Sequence, residues 1–319
     1  MKFKEEQLRD FAKPISETEE LQCQNAIRMV GDALKSLGLK ESSNLNRMYP
    51  EIPSYQLSMS GGEAGYEVKI FLQGSYANNT NVRSKSDVDV AVVQEDSFRT
   101  KYRQGVSREN YGFVTATPRE RSFKDDVEIV LRKEFGDDVH RKNKSIKING
   151  NSYRKDTDSV PALRFRDYRA DYNYNENNYV GGILIIPDRG NEIINYPEQH
   201  MENGIKKNKN TNYYFKKMVR IAKEMRYKMI DEGYKSAIDV SSFLVECLVW
   251  NVPDEYFTKY TSYRFIFDEI VDFLYNSLTL ISNFKEVNGI KLIGSDDSER
   301  IDYCSKFIKD LHRFYEYEI

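Results

Sequence analysis

The stretch Phe71-Leu72-Gln73-Gly74-Ser75, followed by Ser86-Asp87-Val88-Asp89-Val90-Ala91-Val92-Val93, decides the fold. The valines of the second segment are β-branched and favour a strand. Because successive strand side chains alternate between faces, we expect the Asp87 and Asp89 carboxylates on one face, with backbones roughly 6–7 Å apart. Val88 and Val90 then point into a core. Two carboxylates held side by side repel each other, and a hard cation such as Mg²⁺ or Mn²⁺ relieves that repulsion.

The Gly-Ser pair follows an apolar run with the alternation of a strand, formed by Val68, Ile70 and Leu72. A glycine at position 74 lets the backbone come close to a ligand. The amides that follow it and the Ser75 hydroxyl can hold phosphate oxygens, as turn amides do in anion-binding nests. Each half also has a simpler interpretation, a solvated Asp-x-Asp on an edge strand and an ordinary turn. The two halves in this order are much more specific than either alone.

This arrangement resembles the nucleotidyltransferase superfamily typified by DNA polymerase β. The resemblance implies a third carboxylate on a later strand. Asp158 is our candidate, on the strand that leaves a hairpin with a predicted tight turn at Asn149-Gly150. Asp156 is predicted on the same strand face and is the fallback. The alternative is that both aspartates are merely solvated at a sheet edge.

Periodicity and turn residues predict an α+β fold. A capping box at Ser16–Glu19 begins one long amphipathic helix that ends at Gly38. Further elements are predicted as a helix over 125–135, a strand over 179–186, helices over 214–230, 237–250, 262–282 and 297–317, and loops over 40–66, 95–121 and 195–212. The resemblance implies a polymerase β-like core sheet with the long N-terminal helix in a catalytic lobe, residues 1–190. A helical lobe, residues 191–319, would close the active-site cleft.

Composition narrows the class of protein. The 319 residues carry a net charge of −2, so strong non-specific nucleic-acid binding is not expected. The three cysteines lack CxxC spacing, which argues against a zinc ribbon and a disulfide framework. The first residues lack the apolar core of a signal peptide, and there is no apolar run of about 18 residues. We therefore expect a cytoplasmic protein without a membrane partner.

Later segments narrow the resemblance to one branch of the superfamily, the bacterial cGAS/DncV-like nucleotidyltransferases (CD-NTases). They are Pro197-x-x-His200, Asn203-Gly204, Lys207-Asn208-x-x-Thr211, Phe215-Lys216-x-Met218-Val219-Arg220-Ile221-x-Lys223, and Ser242-Phe243-Leu244-Val245-Glu246-Cys247-Leu248-Val249-Trp250-Asn251-Val252-Pro253. With the earlier motifs, the similarity spans most of residues 15–255.

The resemblance implies roles for individual residues. Gly74 and Ser75 would touch the donor triphosphate, and Asp87, Asp89 and Asp158 would be the catalytic residues that hold two Mg²⁺, with Mn²⁺ as a substitute. Lys223 would neutralise the β- and γ-phosphates, Ser242 would hydrogen-bond them, and Phe243 would stack on the donor base where relatives often have Tyr. The alternatives are that Lys223 is a solvated charge on a helix face and that Phe243 is an ordinary core residue.

The implied activity is condensation of NTPs into a cyclic di- or trinucleotide that switches on antiphage effectors (CBASS), with release of pyrophosphate. The zinc-binding insertion of animal cGAS is missing, so activation by double-stranded DNA is not expected. The implied protein is a bacterial cytoplasmic monomer with NTP substrates. The alternatives are a template-independent polymerase or oligoadenylate synthase-like enzyme with linear products, an inactive nucleotide- or RNA-binding module, and an enzyme that AMPylates a protein.

Overall fold

The computed structural model describes residues 3–63, 65–83 and 87–315. Its α-helices are α1 (Glu5–Phe11), α2 (Glu17–Leu34), α3 (Gly74–Ala77), α4 (Phe123–Phe135), α5 (Pro197–Asn210), α6 (Phe215–Asp231), α7 (Lys235–Asp239), α8 (Ser242–Asn251), α9 (Glu255–Thr258), α10 (Tyr263–Asn276) and α11 (Glu299–Tyr315). Its strands are β1 (Leu39–Glu41), β2 (Asn46–Arg47), β3 (Tyr55–Gly61), β4 (Tyr66–Gln73), β5 (Val88–Lys101), β6 (Val139–Arg141), β7 (Ile146–Ile148), β8 (Thr157–Asp167), β9 (Val180–Ile185) and β10 (Ile193–Asn195).

The chain divides into two compact units, each built from separate stretches of sequence. The sheet unit comprises Ser16–Ala77 and Asp87–Glu198, and the helical unit comprises Met1–Ile15, Asn78–Ser86 and Gln199–Ile319. The sequence placed residues 1–190 in one lobe and 191–319 in the other, so the observed division differs in two early stretches and at the boundary. Burial and hydrogen bonds explain the difference, because Leu8 belongs to the helical core and Arg220 donates to the carbonyls of Ala12 and Asn79.

The sheet unit is organised around a mixed sheet with the strand order β1-β3-β4-β5-β8-β7-β6, onto which β2, β9 and β10 also pair. Strands β5 and β8 run parallel at its centre, and β4 flanks β5 antiparallel. Helices α2 and α4 pack against the sheet. Val88 and Val90 are fully buried, as the alternation predicted. The capping box at Ser16 and the end of the first long helical stretch at Gly38, which is left-handed, are also confirmed.

Three predicted loops contain regular structure. Residues 40–66 hold most of β1 and all of β2 and β3, β5 runs on to Lys101, and residues 197–210 form α5. Helix α5 is polar, with only Met201 and Ile205 as large apolar side chains, so it lacks the apolar periodicity that predicts a helix. Its start at Pro197 fits proline's preference for the first helical position.

Other boundaries also shifted. The connection between β7 and β8 covers residues 149–156 rather than a two-residue turn, and Gly150 lacks the positive φ that a type I′ turn demands. The helix predicted over 237–250 is two helices, because Ser241 caps a new one at Ser242. The helix predicted over 262–282 ends at Asn276, followed by a 3₁₀ turn, and α11 is described to Tyr315, with residues 316 and 317 outside the described part.

The described residues of the helical unit share a large apolar core. Helix α8 lies within it, since the side chains from Leu244 to Val249 are all buried. Helices α6, α10 and α11 contribute most of the remaining core residues. None of the helices described is both long enough and apolar enough to span a bilayer.

Candidate active site

The register of the two central strands brings Asp89 and Asp158 together. Asp89 lies within β5 and is paired directly with Asp158 of β8. Because the strands are parallel neighbours about 4.8 Å apart, directly paired side chains share a face of the sheet. Asp87 immediately precedes β5. The choice of Asp158 rather than Asp156 agrees with this register, since Asp156 lies just outside β8.

Charge is crowded around Asp158. Burial raises the pKa of the Asp158 carboxyl, the hydrogen bond that it accepts from Ser145 Oγ at 3.1 Å opposes the shift, and the charge of Asp87 adds to it. A raised pKa is what a carboxylate shows when it faces another negative charge in a partly desolvated place. Asp87 and Asp158 therefore interact electrostatically, and Asp89 is tied to the same place by its pairing with Asp158.

The Gly-Ser turn lies against this cluster. Gly74 takes a φ of 66°, and a Cβ added to it would come within 2.4 Å of Asp89 Oδ2. Only glycine accepts both the left-handed backbone and that close approach at no steric cost. Gly74 and Ser75 remain partly exposed. The turn that was predicted to hold phosphate thus touches the carboxylate that was predicted to hold a cation.

Gly74→Ala is expected to lower activity by about 10²-fold, because the new methyl group displaces the Asp89 carboxylate and small misplacements of catalytic groups have effects of that size. Steady-state product formation measures the effect. Gly65→Ala is the matched control, since Gly65 has a φ of 63° and nothing within 4 Å of the added Cβ. Equal losses in both variants would show that backbone strain, and not contact with Asp89, is responsible.

Lys147 is a cation in this cluster that sequence reasoning missed. It lies on β7 directly opposite Asp158, and its Nζ is 3.0 Å from Asp87 Oδ2 and 3.2 Å from Asp156 Oδ2. The hydrogen bond with Asp87 raises the pKa of Lys147. The alternation of Ser145, Ile146, Lys147 and Ile148 was a usable signal, since it places the two polar side chains on one face.

The carboxylate oxygens of this cluster are chemically suited to bind a divalent cation. Asp89 and Asp158 offer hard oxygen ligands on rigid neighbouring strands, and the crowding of negative charge favours a small cation. Among residues 3–63, 65–83 and 87–315, no group of three His, Cys, Asp or Glu is arranged as a ready set of ligands. Asp87 is instead paired with Lys147.

Lys223, predicted to neutralise phosphates, is buried in the helical unit. Its exposure is only 2%, so the alternative of a solvated charge is wrong. Its Nζ donates to Glu246 Oε2 at 2.6 Å and to Thr80 Oγ1 at 3.3 Å. The ammonium is therefore already held by a carboxylate, and contact with a triphosphate stays a prediction that requires this carboxylate to share it.

Glu246, which sequence reasoning did not single out, is the centre of a buried polar network. It accepts hydrogen bonds from His200 Nε2 at 2.8 Å and from Thr80 Oγ1 at 2.7 Å in addition to that from Lys223. Burial acts to raise the pKa of Glu246, but the charges of Lys223 and His200 hold it below its ordinary value. A glutamate inside the apolar run of α8 was the signal in the sequence.

Ser242 and Phe243 begin α8 and are both partly buried. Ser242 accepts a hydrogen bond from Arg226 Nη1 at 3.4 Å, while Ser241 caps the helix. The Phe243 ring packs against the helical core and lies 5.8 Å from the His200 ring between centroids. Phe243 thus has the core contacts of the simpler interpretation, and its stacking on a base stays a prediction. These residues belong to the helical unit, and the aspartates belong to the sheet unit.

Two family models match separate parts of the chain. A nucleotidyltransferase domain model matches residues 62–154, and a model of the cGAS/DncV-like nucleotidyltransferase C-terminal helical domain matches residues 202–316. Cyclic GMP-AMP synthase CdnE03 of Staphylococcus schleiferi is 46% identical over 318 residues, which is 99% of this chain and 98% of that protein. The chain belongs to the cGAS/DncV-like nucleotidyltransferases.

Two further relatives of this CD-NTase support the assignment. A cyclic dipyrimidine nucleotide synthase CdnE of Cecembia lonarensis is 39% identical over 89% of this chain and 88% of its own. The structure of the CdnE cyclic dinucleotide synthase of Elizabethkingia meningoseptica, solved with GTP and Apcpp, superposes with a TM-score of 0.74 at 31% identity, covering 99% of this chain and 100% of the other. The predicted family, fold class and enzyme class are confirmed. Divalent metal ions are general cofactors of nucleotidyltransferases.

Proposed function

We propose that this CD-NTase condenses two NTPs into a cyclic dinucleotide and releases pyrophosphate. The observation that carries the proposal is the register pairing of Asp89 with Asp158 beside the Gly74 turn. The relatives support a ring of two nucleotides, since they are named as cyclic GMP-AMP, dipyrimidine and dipurine synthases. Cyclic GMP-AMP is the first product to test, because the relative with that name shares 46% of its residues over nearly the whole chain.

The proposed chemistry gives a role to each candidate site residue of the sheet unit. Asp87, Asp89 and Asp158 would hold divalent cations, two Mg²⁺ with Mn²⁺ as a substitute. When bound, these ions neutralise the triphosphate and lower the pKa of the attacking ribose hydroxyl. Gly74 and Ser75 would hold oxygens of the triphosphate. Asp158, whose pKa burial raises, is the carboxylate best suited to accept the proton of that hydroxyl.

Each transfer forms a bond from a ribose oxygen to an α-phosphorus and breaks the bond from that phosphorus to the pyrophosphate leaving group. Such phosphoryl transfer depends mainly on positioning and on neutralisation of charge. The helical-unit residues Lys223, Ser242 and Phe243 would bind the donor through its phosphates and its base. A second transfer within the linear dinucleotide closes the ring, and the product would act as an antiphage signal in the bacterial cytoplasm. We propose that the enzyme acts as a monomer.

Incubation with each labelled NTP, alone and in pairs, with Mg²⁺ or Mn²⁺ tests this function. The expected result is a product that resists phosphatase and has the mass of two nucleoside monophosphates less two waters. A phosphatase-sensitive ladder would favour the polymerase or oligoadenylate synthase-like alternative. Label transferred to protein would favour AMPylation, and release of no pyrophosphate with any NTP would favour an inactive binding module.

A further inference from the structure

The ammonium of Lys147 lies against one proposed metal ligand, and the residue is paired in the sheet with another. It contacts Asp87 at 3.0 Å and Asp156 at 3.2 Å, and its strand position is directly opposite Asp158. The Lys147 side chain is 24% exposed and that of Asp87 is 41% exposed, so the ion pair is partly buried on the lysine side and screened by solvent on the aspartate side. Charges at such separations interact appreciably in a partly buried place.

An ammonium ion and a divalent cation are both attracted to the negatively charged carboxylate of Asp87. Each gains from a full negative charge at close range, and each repels the other when both are near the same carboxylate. A cation that binds Asp87 must therefore displace the Lys147 ammonium or accept its repulsion. The Lys147 backbone is fixed, because β7 is paired on both sides, so only the flexible side chain can withdraw the ammonium.

Asp156 offers the displaced ammonium a second partner. Its other oxygen, Oδ1, accepts a hydrogen bond from the Gly150 amide at 2.5 Å, and this bond fixes the carboxylate in the connection between β7 and β8. Lys147 can therefore lose Asp87 and still keep one anionic partner. Asp156 itself need not hold the metal ion for this purpose.

We propose that Lys147 is a positioning residue that competes with the divalent cation for Asp87, and that Asp156 receives its ammonium when the cation binds. This inference rests on the proposed function, because it presumes the metal site at the three aspartates. The competition keeps the nucleotide-free site from holding the cation tightly. The negative charge of an arriving triphosphate then favours the cation over the Lys147 ammonium at Asp87, so that the cation and the NTP bind together.

Mn²⁺ binding to the nucleotide-free full chain, measured by isothermal titration calorimetry or by the EPR signal of free Mn²⁺, tests the competition. Lys147→Met is expected to tighten Mn²⁺ binding about tenfold, because one positive charge near the ion is removed. Lys147→Gln is expected to change affinity in the same direction. Lys144→Met is the matched control, since Lys144 is exposed just before β7, and it should leave affinity unchanged. Unchanged or weaker binding in both Lys147 variants, with native circular dichroism, would overturn the inference.

A double-mutant cycle tests the transfer to Asp156. Asp156→Asn alone should weaken Mn²⁺ binding several-fold, because Asp87 is then the one carboxylate of the described residues still in contact with Lys147. In the Lys147→Met background the same change should have little effect. Additive effects would instead make Asp156 a plain long-range charge and overturn the transfer. Mn²⁺ binding that Asp89→Asn leaves intact would overturn the metal site itself, which separates failure of the proposed function from failure of this inference.

Discussion

Asp89→Asn and Asp158→Asn are each expected to lower cyclic dinucleotide formation by at least about 10³-fold, since bound cations supply several kcal/mol of transition-state stabilisation and each ~1.4 kcal/mol is tenfold. Asn keeps the size of the side chain and removes the negative charge that the cation needs. At Asp158 it also keeps an acceptor for Ser145. Initial rates with labelled ATP and GTP at saturating Mg²⁺ measure the loss.

The control for this pair of variants is Asp137→Asn, an exposed aspartate of the same unit, which should keep full activity. Neither active-site variant should melt below wild type, because each removes one of the crowded negative charges, and Asp137→Asn should not change melting because its side chain is exposed. Turnover within tenfold of wild type in either active-site variant would remove that residue from the catalytic machinery.

Glu246→Leu is expected to destabilise the helical unit by about 3–5 kcal/mol, because it leaves the Lys223 ammonium buried without its counter-ion. Lys223 and Glu246 are only 2% and 3% exposed, so water cannot take over the lost interaction. Urea unfolding followed by the fluorescence of Trp250, the single tryptophan, reports on this unit because Trp250 packs against its core. The double variant Lys223→Met/Glu246→Leu should recover part of the loss.

An exposed ion pair of the same unit is the control. Lys306 and Asp302 lie 2.7 Å apart on α11 with side chains 61% and 60% exposed, and Asp302→Ala should not change stability measurably. The pH dependence has a definite sign. Because the pKa of Glu246 is held below its ordinary value, its contribution is present above that ordinary value and is lost as pH falls through the lowered one. A Glu246→Leu protein as stable as wild type would show that the network contributes nothing.

The parts of the site that could be predicted from sequence are those set by local pattern. Alternation of valines and aspartates in residues 87–93 places Asp89 on one face and the buried valines on the other. The partner Asp158 was not derivable from pattern, because the register of two strands nearly 70 residues apart depends on the whole sheet. It came from the resemblance to a family that needs a third carboxylate.

Residues whose role depends on distant partners were missed. The sequence alternation around Lys147 indicates only which face it lies on, and it matters because β7 pairs with β8 and brings its ammonium to Asp87. Glu246 gains its role from Thr80 and His200, which lie 166 and 46 residues away in the chain. Helix α5 was missed for a related reason, since its polar side chains bond to distant residues, such as His200 to Glu246 and Lys207 to the Val252 carbonyl, and it lacks an apolar periodic stripe.

The interleaving of the two units limits how this protein can be divided or exchanged. The chain passes between them after residues 15, 77, 86 and 198, so no single cut separates one unit from the other. A fragment that ends at residue 198 would contain two stretches of the helical unit without the rest of that unit. A fragment that begins after residue 198 would lack those two stretches. Recombination at one point therefore cannot exchange the whole helical unit and leave the sheet unit intact.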